Sequence, residues 1–345
     1  MKAYKHYIFL LLALALLYIS GTMNYHLLES RIRMRIVPSK EEEGSSPAIT
    51  LTTVILGGFS GLLADVLWLR ASYLKDAGEY FELVQLANLI TALQPRSVDA
   101  WAFHAWNMAY NVSVVMPRPE DKWRWVKNGI ELLRDRGIRL NFNDPRLYWE
   151  LGSIYQFKIG DTFDPITRYY RIALAKEMSE ILGEMPLSYE HIEKSNELKT
   201  LLREKYKLIP ELMKKIDEKY GPLDWRLPWA HAVYWAYRGK QRAKEKHSIQ
   251  CDRMIFQSLA SAFRHGQFSH SYSGEEADSP DTNLLHRVIS TYEEALIAYP
   301  GDDTVLTSYS NFLHDAVTRL HKAGYIMQAK EAEKIMRQHF QIKEN

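Results

Sequence analysis

The chain of 345 residues is predicted to be all-α, and two observations lead to that prediction. From Ala64 onward, apolar residues recur at three- and four-residue spacing between breaks rich in Gly and Pro, as amphipathic helices require. No stretch of useful length alternates between apolar and polar residues, so a β-sheet is not expected. The sequence therefore predicts one helix after another.

A pattern of apolar and small residues occurs twice, about two hundred residues apart. The first copy is Leu83, Ala87, Ile90, Pro95, Trp101 and Ala105, and the second is Val288, Tyr292, Ala295, Pro300, Leu306 and Ser310. A helix, a turn containing Pro and a second helix explain both copies. The pattern resembles the tetratricopeptide repeat (TPR), a helical hairpin of roughly 34 residues. Stacked hairpins of this kind bind partners on a concave face, so a TPR-like α-α superhelix, or solenoid, is predicted for residues 48–345.

The N-terminus is predicted to be a membrane anchor. Residues 8–19 are almost uninterrupted Leu, Ala, Ile and Phe, and Lys2 and Lys5 precede them. Continued to Leu28, the segment is long enough to cross a bilayer, because a helix needs about 20 apolar residues for this. Residues 1–28 are therefore predicted to be a transmembrane helix, with a cleaved signal peptide as the competing interpretation. A short positive tail before an apolar segment is typical of export, which places the bulk of the chain outside the cytoplasm.

The two segments that follow differ in character. Residues 29–47 contain three successive Glu and then Gly and Ser, which predicts a flexible linker. Residues 48–69 are apolar apart from Asp65, and the spacing of Gly57 and Gly61 would suit a second membrane helix. Because an Asp inside lipid is costly, we favour a helix packed on the solenoid.

Two stretches interrupt the predicted array. At about 184–222, Leu198, Leu201 and Leu202 begin an apolar stripe at helical spacing, which predicts a helical insertion. At about 266–281 the chain is rich in Ser, Gly, His and acidic residues, which predicts a mobile polar loop. The His and acidic residues of that loop are common in polar loops, so no metal site is predicted.

Composition and motifs argue against several functions. The net charge of +2, with 25% charged residues of both signs interleaved, does not predict nucleic-acid binding. The single cysteine, Cys251, excludes an internal disulfide and a cysteine-rich metal site. No glycine-rich phosphate loop, nucleophile elbow or zinc-protease motif occurs. We therefore expect no cofactor and no catalytic residue, and we predict that the chain is not an enzyme.

A partner-binding groove is predicted from blocks that combine aromatic and polar residues. His104, Asn107 and Asn111 fall at i, i+3 and i+7, along one stripe of a helix. The alternative is that neighbouring turns satisfy these polar groups. Trp123 and Trp125 lie on different faces of the next helix, so one is expected in the core and the other at the surface.

The block from Leu223 to Ala236 is the most unusual part of the chain. Its candidates for the groove are Trp225, Arg226, His231, Tyr234 and Trp235. The paired donors of Arg226 suit a carboxylate or phosphate of a partner. His231 has the alternative role of a hydrogen-bonded core residue.

Three runs, 57–68, 101–113 and 225–235, resemble a family of bacterial, membrane-anchored tetratricopeptide-like proteins that has no assigned activity. The resemblance implies an anchored helical-repeat protein of the bacterial inner membrane. We therefore expect a scaffold that binds a protein or peptide partner and supports assembly of an envelope complex. The alternative is an envelope enzyme, or an accessory subunit, acting on a glycan or lipid-linked substrate through an aromatic groove.

Overall fold

The computed structural model describes residues 59–340, apart from 162–163, 184, 244 and 269–278, together with part of the stretch from Tyr7 to His26. The described residues of that N-terminal stretch are helical. None of the described helices combines the length and the apolarity needed to cross a membrane. Much of the predicted anchor and all of the predicted linker lie outside the described residues, so both stay predictions.

The predicted all-α class is confirmed, since the described residues form helices and no strand. The helices are α1 (Phe59–Asp76), α2 (Tyr80–Leu93), α3 (98–115), α4 (119–140), α5 (145–159), α6 (Thr167–Leu182), α7 (Tyr189–Lys194), α8 (196–206), α9 (Pro210–Tyr220), α10 (Pro228–Lys240), α11 (Glu245–His265), α12 (Leu285–Ala298), α13 (Asp303–Lys322) and α14 (Ile326–Phe340). Four of them, α3, α4, α5 and α8, contain a π-helical turn.

Capping residues explain where the helices of the two sequence copies begin. The side chain of Ser97 accepts a hydrogen bond from the backbone of Ala100 at the start of α3. Asp302 plays the same part for α13, accepting from Thr304 and Val305. Each cap satisfies backbone N–H groups that have no partner inside the helix. The capping residue, and not the proline alone, therefore fixes where each second helix begins.

Neighbouring helices pack in chain order at both ends of the described body. Helix α1 packs on α2, α2 on α3 and α3 on α4, while α11 to α14 follow one another in the same way. In the middle the order is broken, because α5 packs directly on α10, and α10 then packs on α11 in chain order. The stretch predicted as an insertion at about 184–222 contains α7, α8 and α9, and α9 also contacts α12.

The second copy of the pattern is buried with a different register from the one predicted. Trp101 is buried in the first copy, whereas its counterpart Leu306 is 42% exposed. The buried residues of α13 instead begin with Val305, Tyr309 and Phe312. Gly137 of α4 lies directly over Trp101, since a Cβ added at Gly137 would be only 3.3 Å from the Cβ of Trp101. Helix α4 therefore covers this tryptophan. The equivalence of the two copies therefore ends at their second helices.

Two clusters of buried apolar residues make up the described core. The larger one extends from Val84 to Ala332 and includes the aromatic block of α10. The smaller one joins α1 and α2 to the start of α3 through Ala71, Leu74 and Leu83. Helix α1 thus packs mainly on α2, whereas α2 also packs along α3.

Candidate functional site

His104 and Asn107, predicted to face a groove, are fully buried. The Oδ1 atom of Asn107 accepts a hydrogen bond of 2.9 Å from Asn111, whereas neither ring nitrogen of His104 has a hydrogen-bond partner. Burial, helped by the charge of Arg136, lowers the pKa of His104 to about 4, so the ring is neutral at pH 7. The side chains of His104 and Asn107 are not accessible to a partner.

Trp123 and Trp125 are both half-buried and both pack against the core. The ring of Trp123 lies 6.0 Å from that of Tyr170, and the ring of Trp125 lies 6.0 Å from that of Phe81. The prediction that one tryptophan is core and the other exposed was wrong. Helices on both sides of α4 cover its two faces, which spacing within one helix does not reveal.

Three aromatic candidates of the later block also lie inside the core. Trp225 donates its indole N–H to Asp217 at 2.9 Å, and the hydroxyl of Tyr234 donates to the carbonyl of Lys207 at 2.8 Å. Trp235 is 1% exposed. This block holds α10 in place between α5 and α11 and presents no aromatic surface to a partner.

Arg226 and His231 find their partners within the chain. The guanidinium of Arg226 forms a two-pronged ion pair with Asp224, at 2.8 and 2.7 Å, and donates to the carbonyl of Phe268 at 3.0 Å. The imidazole of His231 bonds the carbonyl of Trp225 at 3.0 Å, and burial lowers its pKa to about 4. The expected surface role of Arg226 was wrong, and His231 has the alternative role of a hydrogen-bonded core residue.

A different face of α3 carries the exposed apolar surface. Phe103 and Trp106 line one pocket, Trp106 stacks on Tyr110, and Tyr110 and Val114 line a second pocket, so these four residues form one row along the helix. Trp106 is 42% exposed and Val114 is 54% exposed, while the other two are half-buried. We call this row the aromatic stripe.

Neighbouring side chains hold the rings of the aromatic stripe in place. Trp106 stacks on Tyr110, with ring centroids 5.3 Å apart and planes 19° from parallel. The ammonium of Lys75 lies 5.8 Å above the Trp106 ring, close enough for a cation–π contact. Phe103 meets Trp68 of α1 edge to face at 5.1 Å. The exposed rings are therefore ordered before any partner arrives.

A pocket of about 350 Å³ lies beside the Phe103–Trp106 end of the stripe. Its charged residues are Asp99, Arg146 and Glu150, and Arg146 pairs with both carboxylates, at 2.5 and 3.4 Å. Burial raises the pKa of Glu150. One cation against two carboxylates leaves this first pocket acidic.

A pocket of about 440 Å³ lies beside the Tyr110–Val114 end. Phe157, Pro165 and Ile166 supply most of its remaining apolar wall, and its charged residues are Lys122, Lys158 and Asp164. Two ammonium groups against one carboxylate leave this second pocket basic. The stripe thus joins two pockets of opposite net charge.

Small residues bring α3 and α4 together behind the stripe. A Cβ on Gly129 would lie 2.8 Å from the carbonyl oxygen of Ala105 and 3.2 Å from the Cβ of Ala109. This close approach buries the Ala105–Ala109 face of α3 and turns the face of Trp106 outward. Gly129 and the aromatic row are both visible in the sequence, but neither shows which face of α3 contacts α4.

Comparison of the chain with protein-family models, with curated proteins and with solved structures found no match.

Proposed function

We propose that this chain is a membrane-anchored, TPR-like scaffold of the bacterial envelope. It binds an extended segment of a protein partner along the aromatic stripe and thereby supports assembly of a complex. The observation that carries the proposal is the row of ordered, exposed rings between two pockets on one helix. Rigid aromatic side chains contribute much contact area at little entropic cost, and they are enriched among the residues that dominate binding energies.

Charge supports an extended segment with a defined direction. The first pocket has an excess of carboxylate and the second an excess of ammonium. A segment with a basic group at one end and an acidic group at the other, and apolar side chains between them, complements both pockets and the stripe. Complementary charge fixes the direction of binding more than it adds affinity.

The proposed position at a membrane is supported by α1, the first helix of the described body. Leu62, Val66, Leu69 and Tyr73 form an exposed row at helical spacing on this helix, on the side away from the residues that pack on α2. An exposed apolar row on a helix suits contact with the apolar edge of a lipid surface. The row begins within the apolar segment 48–69, for which a second membrane helix was the alternative prediction.

Site-specific photo-crosslinking in cells tests the proposed partner site. A photoreactive phenylalanine analogue replaces Trp106 in one variant and Val114 in another, with Ile297 and Met327, two exposed apolar residues elsewhere, as matched control positions. We expect one partner to be labelled from both stripe positions and from neither control. Mass spectrometry of the adduct then identifies the partner segment.

The identified segment, made as a synthetic peptide, is titrated into the purified full-length chain. Trp106→Ala is expected to weaken its Kd at least tenfold, because loss of a central aromatic side chain costs about 2 kcal/mol or more at such sites. Ile297→Ala is expected to leave the Kd within a factor of two. Equal labelling from stripe and control positions, or equal Kd values for the two alanine variants, would refute the proposal.

A further inference from the structure

We infer that the second pocket binds an apolar group that carries one carboxylate. The pocket has a volume of about 440 Å³, within the range of about 300–1,000 Å³ that small-ligand sites occupy. Tyr110, Val114, Phe157, Pro165 and Ile166 provide an apolar wall. The pocket therefore has room and surface for an aliphatic or aromatic group of modest size.

The polar end of the pocket is built around a buried lysine. The side chain of Lys158 is 4% exposed, and its ammonium lies 5.3 Å from the ring centre of Tyr110 and 5.6 Å from that of Tyr170. It donates a hydrogen bond of 2.6 Å to Asp164. Lys122 lines the same pocket and donates to the carbonyl of Val114 at 2.5 Å. Contacts on several sides therefore fix the ammonium of Lys158 in the pocket wall.

Charge and hydrogen bonds both leave this cluster incomplete. The carboxylate of Asp164 uses one oxygen for Lys158 and the other for the backbone N–H of Ile166, at 3.1 Å. Each ammonium has three N–H donors, and among the described residues each lysine uses one of them in a hydrogen bond. The charges of the described residues that line the pocket sum to +1 beside an apolar wall, where a charge is stabilised by an opposite charge with good hydrogen-bond geometry. A carboxylate on the bound group supplies both.

Two sources share this chemistry. One is a free aliphatic carboxylic acid. The other is the last residue of a peptide, with an apolar side chain in the pocket and its terminal carboxylate at the lysines. The peptide form rests on the function proposed above, because the pocket lies at the end of the aromatic stripe, and it would make that end the C-terminal end of the bound segment.

Calorimetric titration of the full-length chain in lipid nanodiscs tests the inference. The probes are octanoate against 1-octanol, and N-acetyl-Phe-Leu with a free C-terminus against the same dipeptide with an amide terminus. We expect at least one carboxylate probe to bind at least tenfold more tightly than its neutral counterpart, since a hydrogen bond to a charged group is worth about 1.5–3 kcal/mol.

Two variants test the role of the lysines. Lys122→Met is expected to remove most of the preference for the carboxylate and to leave binding of the neutral probe within a factor of two. Lys158→Met repeats the test at the buried position. Lys334→Met, which removes an exposed cation from α14, outside the pocket, is the matched control and is expected to keep the preference. Equal binding of charged and neutral probes, or a preference that survives both Lys122→Met and Lys158→Met, would overturn the inference.

The two probe pairs separate the sources, and their outcomes separate this inference from the proposed function. A preference confined to the peptide supports a bound C-terminus, and one confined to octanoate supports a free acid. If carboxylate binding is found while crosslinking from Trp106 matches that of the controls, the carboxylate pocket is supported and the proposed scaffold function is refuted. If crosslinking is specific to the stripe positions and the carboxylate preference is absent, the proposed scaffold function is supported and the carboxylate pocket is refuted.

Discussion

At the scale of single residues, two buried histidines have opposite surroundings. His231 bonds the carbonyl of Trp225 at 3.0 Å and stacks on Tyr155 at 4.8 Å. His104 is equally buried, but neither of its ring nitrogens has a hydrogen-bond partner. A buried polar group costs free energy when it is unpaired and little when it is paired. The same residue type is therefore expected to stabilise the fold at one position and to destabilise it at the other.

His104→Leu is expected to raise the free energy of unfolding by about 1–3 kcal/mol at pH 7, because it removes an unpaired polar ring from the core. The gain is expected to grow as the pH falls from about 6.5 to about 4. In that window the unfolded chain binds a proton at His104 while the folded chain, with a pKa of about 4, does not. The wild type therefore loses stability from this residue on acidification, and the variant does not. Urea unfolding at pH 7 and pH 5 measures both effects.

His231→Leu is the matched control at pH 7. It removes the donor for a buried carbonyl, so it is expected to lower the free energy of unfolding by about 1–3 kcal/mol. If both substitutions were equally destabilising at pH 7, His104 would have a hydrogen-bond partner in solution, and the contrast between the two sites would be wrong.

At the scale of secondary-structure elements, α3 shows how far the sequence leads. The spacing of apolar residues located the helix, and the aromatic and polar block from Trp101 to Asn111 marked it as the unusual one. Its orientation was not predictable, because Trp101 and Trp106 are both large and aromatic, yet one is buried and the other 42% exposed. The decision depends on contacts with α4, about twenty residues further along the chain.

The π-helical turn Asn107–Val112 is a second reason why the orientation of α3 was not predictable. Such a turn has more residues than an α-helical turn, so residues at i and i+7 across it no longer share one face. His104 and Asn107, which precede or begin the turn, are buried together, whereas Asn111 is half-buried. The predicted polar stripe was derived from ideal α-helical spacing and failed where the helix departs from it. The burial of Arg226 and Trp235 was unpredictable for the related reason that Phe268 and Tyr148, which contact them, are distant in sequence.

The contact between α3 and α4 is expected to depend on Gly129. In Gly129→Ala, the new Cβ would lie 2.8 Å from the backbone oxygen of Ala105, so one helix has to shift. Alanine favours a helix by about 1 kcal/mol over glycine, yet we expect a net loss of about 1–3 kcal/mol in the free energy of unfolding, because a backbone atom cannot rotate away. Chemical denaturation followed by circular dichroism measures the change.

Arg124→Ala, on the exposed face of the same helix, is the control and is expected to change the free energy of unfolding by less than about 0.5 kcal/mol. Because the shift moves α3, Gly129→Ala is also expected to alter the emission of Trp106, which α3 carries to the surface. A Gly129→Ala variant more stable than the wild type would show that the two helices separate without cost.

At the scale of the whole molecule, the two core clusters indicate unequal stability along the chain. The larger cluster ties α10 to α5 and α11, and extends to α14. The smaller one consists of Ala71, Leu74, Leu83, Ile90 and Ala100. A segment with few buried apolar contacts opens at a lower free energy than a segment with many. Local opening is therefore expected to begin at α1 and α2.

Native-state hydrogen exchange followed by mass spectrometry tests this order. Amides of α1 and α2 are expected to exchange through openings of lower free energy than amides of α5 and α10. Leu74→Ala, in the smaller cluster, is expected to speed exchange in α1 and α2 while leaving α10 within error of the wild type. Leu151→Ala, in the larger cluster, is expected to lower the free energy of global unfolding by about 2–5 kcal/mol, as core leucine truncations do.

The comparison of the two leucine variants also bears on binding. Tyr80 packs against both clusters and Val84 of α2 belongs to the larger one, so opening at α1 and α2 is expected to reach the rest of the core through these residues. Trp68 of α1 supports Phe103 at one end of the aromatic stripe, and loss of α1 would leave that end without its edge-to-face partner. Leu74→Ala is thus expected to weaken peptide binding at the first pocket more than carboxylate binding at the second. Equal acceleration of exchange in α1 and α10 by Leu74→Ala would show that the two clusters unfold as one unit and would remove the basis for that difference.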